Sequence, residues 1–331
     1  MIKTFRSTHS MRTLSCTAVV AFLAGCSGSA SPPPAAAVAP AGHVTPFVNV
    51  AGIKAPHGNS TFVTDAGTAT VTVWGANGQL NAILFDGIGA DPRGLAADAA
   101  QNLYVANLNF SNVIVYAKPY TSIKATLNDA GQNTQDVAVD KTGLVGVTNY
   151  LTSSLAPGSV TFFAKNATQP CSNVTDPNWV YFFNDAFDAS GNLFIDGQTA
   201  AGTTLVGEVS GGCKATSITT LSVGNAISYP GGVQVSNGNI LIGDVTKQAI
   251  YTYAPPSGGS LGSPTVVTAL AGAKLPVTFA IEQNGKYVRT ADSGGNRPDA
   301  GRYTYPKGAF VSKLGDHLTP VAVAVYPAAQ P

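Results

Sequence analysis

Side chains that could do chemistry are few in this chain and unevenly spread. Glutamate occurs twice, at Glu208 and Glu282, and histidine four times, with His43, His57 and His317 outside the leading segment. No CxxC pair is present, and no glycine-rich phosphate loop stands at a strand–helix junction. What remains is a set of polar residues where short apolar runs begin: Arg93, Asp136, Asn184 with Asp185, and Tyr229. Carboxylates and amides of this kind can hold a hard cation or hydrogen-bond a polar ligand. Arg297 and Arg302, in a long glycine-rich stretch, can hold a carboxylate. The run Asp176–Asp185 carries Trp179, Tyr181, Phe182 and Phe183. Two readings are open for it: the rings stack on a sugar or other flat ligand, or they alternate along a strand and fill a gap in the core.

These residues sit on a repeating phrase. The stretch 92–118, PRGLAADAAQNLYVANLNFSNVIVYAK, returns in weaker copies four more times. Each copy is an alternating strand, a polar turn, a second strand ending in Asn or Asp, another turn and a third strand. Taking Gly94, Asp136, Asp185, Gly232, Thr278 and Pro320 as first-strand starts, the copies recur every 42 to 49 residues or so, the period of four-stranded propeller blades. The last copy, from Pro320, is a first strand with nothing after it. The stretch 61–87 is a second, third and fourth strand with nothing before it. Joined, the two make one blade. The fold predicted is therefore an all-β, six-bladed β-propeller of four-stranded blades, closed by a C-terminal first strand that joins the N-terminal strands; closure removes exposed sheet edges.

The phrase resembles the NHL-type repeat of six-bladed propellers. Pro92, Gly94, Leu95, Ala96, Asp98, Asn102, Leu103, Tyr104, Val105, Ala106 and Asn107 carry the resemblance in the best copy. It implies a ligand-bearing face around the central channel, formed by the loops from fourth to first strands and from second to third strands. Arg93, Asp136, Asn184, Asp185, Trp179, Tyr229, Arg297 and Arg302 are the candidates for that face. The Asp or Asn closing each second strand recurs too regularly for a special role and reads as a turn cap. Propellers of the lactonase type hold a divalent metal with Glu, Asn and Asp, so Ca²⁺ belongs to a hydrolase alternative. The metal-binding Glu of that family has no counterpart at a strand entry here.

The chain start reads as an export segment. Lys3, Arg6 and Arg12 precede an apolar stretch over 17–24 that is too short to span a bilayer. Leu23-Ala24-Gly25-Cys26 resembles the lipobox of bacterial lipoproteins, which implies a signal peptide over 1–25 and a lipidated Cys26. Ser27 points to the outer membrane. Residues 26–45, rich in Pro and Ala, form a linker that cannot bury a core, and the propeller follows over 46–331. Cys171 and Cys213 are then the two cysteines of the folded part, and an even pair in an exported protein suggests a disulfide.

Composition bounds the function classes. Only 11% of residues are charged and 44% are hydrophobic, with 36 Gly and 21 Pro, a mixture that suits strands and turns. The net charge is +1 with no Lys/Arg cluster after the leading segment, which argues against a nucleic-acid partner. The reading is a lipid-anchored cell-envelope protein, without a required cofactor, that binds a protein, glycan or small molecule. A metal-dependent lactonase is the first alternative, and a lyase or oxidoreductase the second.

Overall fold

The computed structural model describes residues 59–85, 89–295, 298–315, 317–328 and 331. The export segment, Cys26, the linker and Arg297 lie outside the described residues.

Six sheets radiate from one axis. The closing blade places β25 (Pro320–Tyr326) innermost, followed outward by β1 (Ser60–Asp65), β2 (Thr70–Gly75) and β3 (Leu80–Phe85). The second blade is β4 (Pro92–Ala97), β5 (Leu103–Asn107), β6 (Asn112–Ala117) and β7 (Ser122–Asn128). The third is β8 (Gln132–Val139), β9 (Val145–Thr152), β10 (Pro157–Phe163) and β11 (Ser172–Val174). In the fourth, β12 (Tyr181–Phe187), β13 (Leu193–Gln198), β14 (Thr204–Val209) and β15 (Thr219–Val223) follow one another. The fifth holds β16 (Pro230–Ser236), β17 (Asn239–Asp244), β18 (Ala249–Tyr253) and β20 (Val266–Ala269). The short β19 (Ser260–Gly262) of its outer loop pairs in parallel with β15 of the fourth blade. The sixth is β21 (Pro276–Ile281), β22 (Tyr287–Asp292), β23 (Asp299–Thr304) and β24 (Phe310–Leu314).

Ring closure occurs where the split repeat placed it. β25 pairs antiparallel with β1 from Ser60↔Tyr326 to Asp65↔Pro320. Asp65 holds the junction: its carboxylate accepts the Leu318 and Thr319 N–H groups at 2.8 and 3.0 Å. The Ala322 N–H donates to Thr64 Oγ1 at 2.9 Å.

The core is divided among blade interfaces, because each sheet is apolar on both faces. Phe62, Leu84, Leu103 and Tyr116 fill the wedge between the closing and second blades. Val113, Val137, Val147 and Phe163 fill the next. Phe162, Trp179, Phe182 and Leu193 fill the wedge between the third and fourth blades. There the disulfide predicted from the cysteine pair joins Cys171, just before β11, to Cys213, in a one-turn 3-10 helix after β14, with a Cα–Cα distance of 5.1 Å. It closes a loop of 42 residues, for which chain entropy gives about 4 kcal/mol as an upper figure. Replacing Cys213 with Ala is therefore expected to lower unfolding stability by up to that amount in denaturant titrations. A reducing agent should do the same to the parent and leave the variant unchanged.

The innermost strands begin earlier than the repeat suggests. The register slips near the start once in β4, β12, β16 and β21, at Pro92/Leu95, Phe182/Asp185, Pro230/Val233 and Pro276/Thr278, and twice in β8, at Gln132/Thr134 and Thr134/Asp136. Alternation read from sequence follows only the regular half beyond the bulge. A bulge turns the side chains at the slip out of the pleat, which is a common way to aim residues at a site.

Candidate functional site

The bulges position the sequence candidates at one end of the ring. Arg93 lies in the β4 bulge. Its carbonyl accepts a hydrogen bond from Thr64 Oγ1 at 2.7 Å, and its Nη2 pairs with Asp91 Oδ2 at 2.7 Å. Its Nε is buried without a partner. Around it runs an arc of rings from three blades. Tyr181 stacks on Tyr150 at 5.0 Å between centroids, Tyr150 meets Phe183 at 5.5 Å, and Phe183 meets Tyr229 at 5.5 Å. Burial pushes the Tyr150 and Tyr229 phenols up, and the positive charge of Arg93 offsets part of that rise in both. The guanidinium and the arc therefore share one electrostatic neighbourhood at the channel end formed by the fourth-to-first-strand loops.

Asn184 lies in the same bulge as Phe183, but its side chain is used internally. Its backbone N–H and its Nδ2 both donate to Asp196 Oδ1 at 2.9 Å. This is one case of a clasp that recurs around the ring. The acid or amide at the end of a second strand accepts N–H groups from the segment entering the first strand. Asp244 takes Ser228 at 2.8 Å, Asp292 takes Lys274 and Leu275 at 2.8 and 2.6 Å, and Asn107 takes Asp91 at 3.1 Å. Asp65, Asn107, Asp196, Asp244 and Asp292 thus secure loops, whereas Asn149 donates its Nδ2 to Ser159 Oγ and Thr161 Oγ1 on β10.

Below the bulges a central channel of about 630 Å³ opens. Its lining starts at Leu95, Asp136, Asp185, Gly232, Thr278 and Ala322 and runs to the turns joining first and second strands, at Asp98, Asp140 and Asp188. The lumen thus reaches the face opposite to the one implied by the resemblance, because the bulged segments lie beyond the layer at which its lining begins. Asp136 Oδ1 accepts the Val137 N–H at 2.9 Å and its Oδ2 accepts the Asp185 N–H at 3.2 Å. Neither Asp185 oxygen accepts a well-formed hydrogen bond, and Asp196 Oδ2 is likewise unpartnered. Burial pushes the Asp136 carboxyl up to about 7, and the Asp196 charge adds to the rise. Burial also takes Asp196 up to about 7, against the hydrogen bonds of Asn184. Asp185 is raised well above the ordinary range by burial and then by the Asp136 charge, which the nearby Thr148 N–H offsets in part.

Close approach of the second blade produces this burial. A Cβ on Gly94 would stand 1.7 Å from Asp136 Oδ1 and 2.5 Å from its Cα, so only glycine fits. Gly94→Ala is expected to destabilise the ring by about 1–3 kcal/mol or more, as overpacking against backbone does, read as a lowered melting temperature.

Two sequence candidates lie elsewhere. Trp179 is fully buried between the third and fourth blades, stacked on Phe182 at 5.2 Å with its Nε1 donating to Thr220 Oγ1 at 3.0 Å. The core-filling reading describes its place. Arg302 belongs to β23 rather than to a loop, and its Nε and Nη2 grip Glu282 at 2.7 and 2.6 Å above the Tyr287 ring. Glu282 is shared with the buried Arg289, whose Nε lies 3.3 Å away. Tyr150 is the member of the arc that the sequence reading missed; as the residue after the strand-ending Asn149, it looks like part of a turn. Among the described residues no group of three or more His, Cys, Asp or Glu converges with metal-ligating spacing.

No family model matches the chain, and no curated protein matches it. Solved structures do. A chain from the crystal structure of a nidogen/laminin complex aligns with a TM-score of 0.64 at 15% identity, covering 83% of this chain and 100% of that one. A Bacteroides caccae protein of unknown function aligns at 0.61 and 12%, covering 81% and 98% of the two chains. Hydrazine synthase from Kuenenia stuttgartiensis aligns at 0.58 and 13%, covering 70% and 77%. At such low identities the likeness is one of fold, and it places this chain among six-bladed β-propellers.

Proposed function

We propose that the chain is a lipid-anchored protein of the bacterial cell envelope, at the outer membrane, whose propeller is a binding module using the Arg93 face. The observation that carries the binding role is the arc Tyr181–Tyr150–Phe183–Tyr229 beside a guanidinium with an unpartnered Nε. Three half-buried tyrosines and one cation offer rigid apolar area with polar tips, the make-up of recognition surfaces for proteins and glycans. One structural neighbour comes from a nidogen/laminin complex, which supports a protein partner. The disulfide suits an oxidising compartment, and Leu23–Cys26 supplies the anchor.

Two experiments test the two halves. Labelled palmitate should be incorporated by the full chain and not by Cys26→Ala; equal labelling would remove the anchor. Envelope extract and a glycan array, probed with the parent and with a Tyr150→Ala/Tyr229→Ala variant, should show retention that the variant loses by roughly tenfold or more. Retention unchanged by the double substitution would move the binding surface elsewhere.

A further inference from the structure

The central channel has a feature that the Arg93 face does not explain. Its lining mixes small apolar side chains, among them the half-buried Ala96, Ala186 and Ala324, with polar ones such as Gln234 and Thr278, while its closed end presents Asp136 and Asp185. The carboxylates at the open end are already employed. Asp98, Asp140 and Asp188 each accept the backbone N–H four residues on, from Asn102, Leu144 and Asn192, at 2.8 Å. The lysine at that mouth, Lys141, donates to the Ala189 carbonyl at 2.8 Å. Asp185 is different: it is only 5% exposed, lines the lumen, and neither of its oxygens accepts a well-formed hydrogen bond, the Thr148 N–H being the nearby donor. A buried carboxylate in that state is unfavourable unless it is protonated or paired with a cation.

We propose that the closed end of the channel binds an organic ammonium ion with an apolar body, its N–H groups held by Asp185 and Asp136 and its carbon skeleton by the channel wall. The geometry selects this class. From Asp136 to Asp140 the strand spans four residues, a depth of about 13 Å at roughly 3.3 Å per residue, so a medium-length chain or single ring fits with its charge at the bottom. A hard divalent cation requires about six or more oxygens. The carboxylates of Asp136 and Asp185 alone do not supply them. An alcohol of the same shape would leave the charge of Asp185 uncompensated, and a carboxylate would add repulsion.

Three carboxyl groups influence one another here through their charges, Asp196 on β13 acting on Asp136 on β8, and both acting on Asp185 on β12. The nearby cation, Arg93, is paired with Asp91. Protons held by the carboxyl groups near neutral pH must leave when the ammonium enters with its own charge. Binding therefore exchanges a bound proton for the cation, with no bond broken in the ligand.

The test is isothermal titration of the full chain at pH 7 with n-hexylamine, in two buffers of different ionisation enthalpy. n-Hexanol, hexanoate and calcium chloride are titrated in parallel. Hexylamine is expected to bind with net proton release and to weaken by roughly tenfold at pH 5, where the carboxyl groups are protonated; the other three should not bind. Asp185→Asn should keep the fold and weaken hexylamine by roughly tenfold or more, the scale of a charge-assisted pair. Ala186→Phe, which fills the lumen beside intact carboxylates, should abolish binding as well. Equal uptake of hexylamine and hexanol, undiminished binding by Asp185→Asn, calcium bound in place of the amine, or no amine binding to the parent would each overturn the proposal. Loss of the Arg93-face function through Tyr150 and Tyr229 leaves it standing, so the two readings fail separately.

Discussion

Removal of residues 320–331 is expected to leave a chain without a cooperative unfolding transition. Those residues contain β25, the innermost strand of the closing blade. Val321, Ala322, Val323 and Val325 are buried there, at about 1.5–3 kcal/mol for each fully buried valine. The strand forms a full antiparallel ladder with β1 and takes two hydrogen bonds from its entry segment to Asp65. Its side chains also join the apolar wedges on both sides of the closing blade, with Ala322 packed toward the second blade and Val323 and Val325 toward the sixth. Without it, β1 presents a free edge and two wedges open to water. The combined loss matches or exceeds the roughly 5–15 kcal/mol that holds a typical domain folded. A chain ending at Tyr326 keeps the whole strand and should melt within a few degrees of the parent. Calorimetry on the two truncations separates loss of the strand from loss of the tail.

The second large effect is on pH dependence. Asp136 and Asp196 titrate in the folded chain near 7 against an ordinary 3.8, and burial takes Asp129 to about 6 despite hydrogen bonds from Asn149 and Thr161. Between about pH 4 and 7 the folded state therefore holds more protons than the unfolded state. Stability is highest below the unfolded values, falls as pH rises through this window, and levels off above about 7. The direction is the reverse of ordinary acid denaturation, in which paired carboxylates lose stability as pH falls. With partial cancellation among neighbours, a loss of about 2–4 kcal/mol from pH 5 to pH 8 is expected, or roughly 5–15 °C in melting temperature. Asp185→Asn keeps the shape, removes one of three mutually repelling carboxylates and offers Asp136 a donor. It should raise the melting temperature at pH 8 and flatten the slope. A melting temperature that climbs steadily from pH 5 to pH 8 in the parent would contradict this reading of the carboxylates.

The blades were legible in the sequence because a propeller repeats one local pattern, and its alternation, turns and strand-end Asp or Asn recur at a fixed period. The split blade was legible for the same reason: a lone first strand at the end and three strands at the start each lack what the other has. The disulfide followed from the even pair of cysteines. The bulges were not legible, since a bulge is set by pairing with the neighbouring strand and leaves no alternation of its own. That is why Arg93, Phe183 and Asn184 looked like loop residues when they are strand residues turned out of the pleat. The same limit hid the closed end of the channel, which depends on Gly94 fitting against Asp136 in the adjoining blade. Trp179 shows the converse. Its run carried both a stacking and a packing pattern, and the wedge between two blades, formed by residues distant in sequence, decided for packing. Arg302 was misplaced because the glycine-rich run before it reads as loop, whereas β23 extends through it to reach Glu282.

The claim on which the rest depends is that the fold holds an unneutralised carboxylate group at the closed end of its channel. The direct measurement is a carbon-13 NMR titration of the aspartate side-chain carboxyls in the full chain, assigned with Asp136→Asn, Asp185→Asn and Asp196→Asn. The expected result is that Asp136 and Asp196 titrate near 7, with Asp185 above the ordinary range, and that all three shift when n-hexylamine is added. Titration of all three between about 3 and 5, unmoved by the amine, would contradict it.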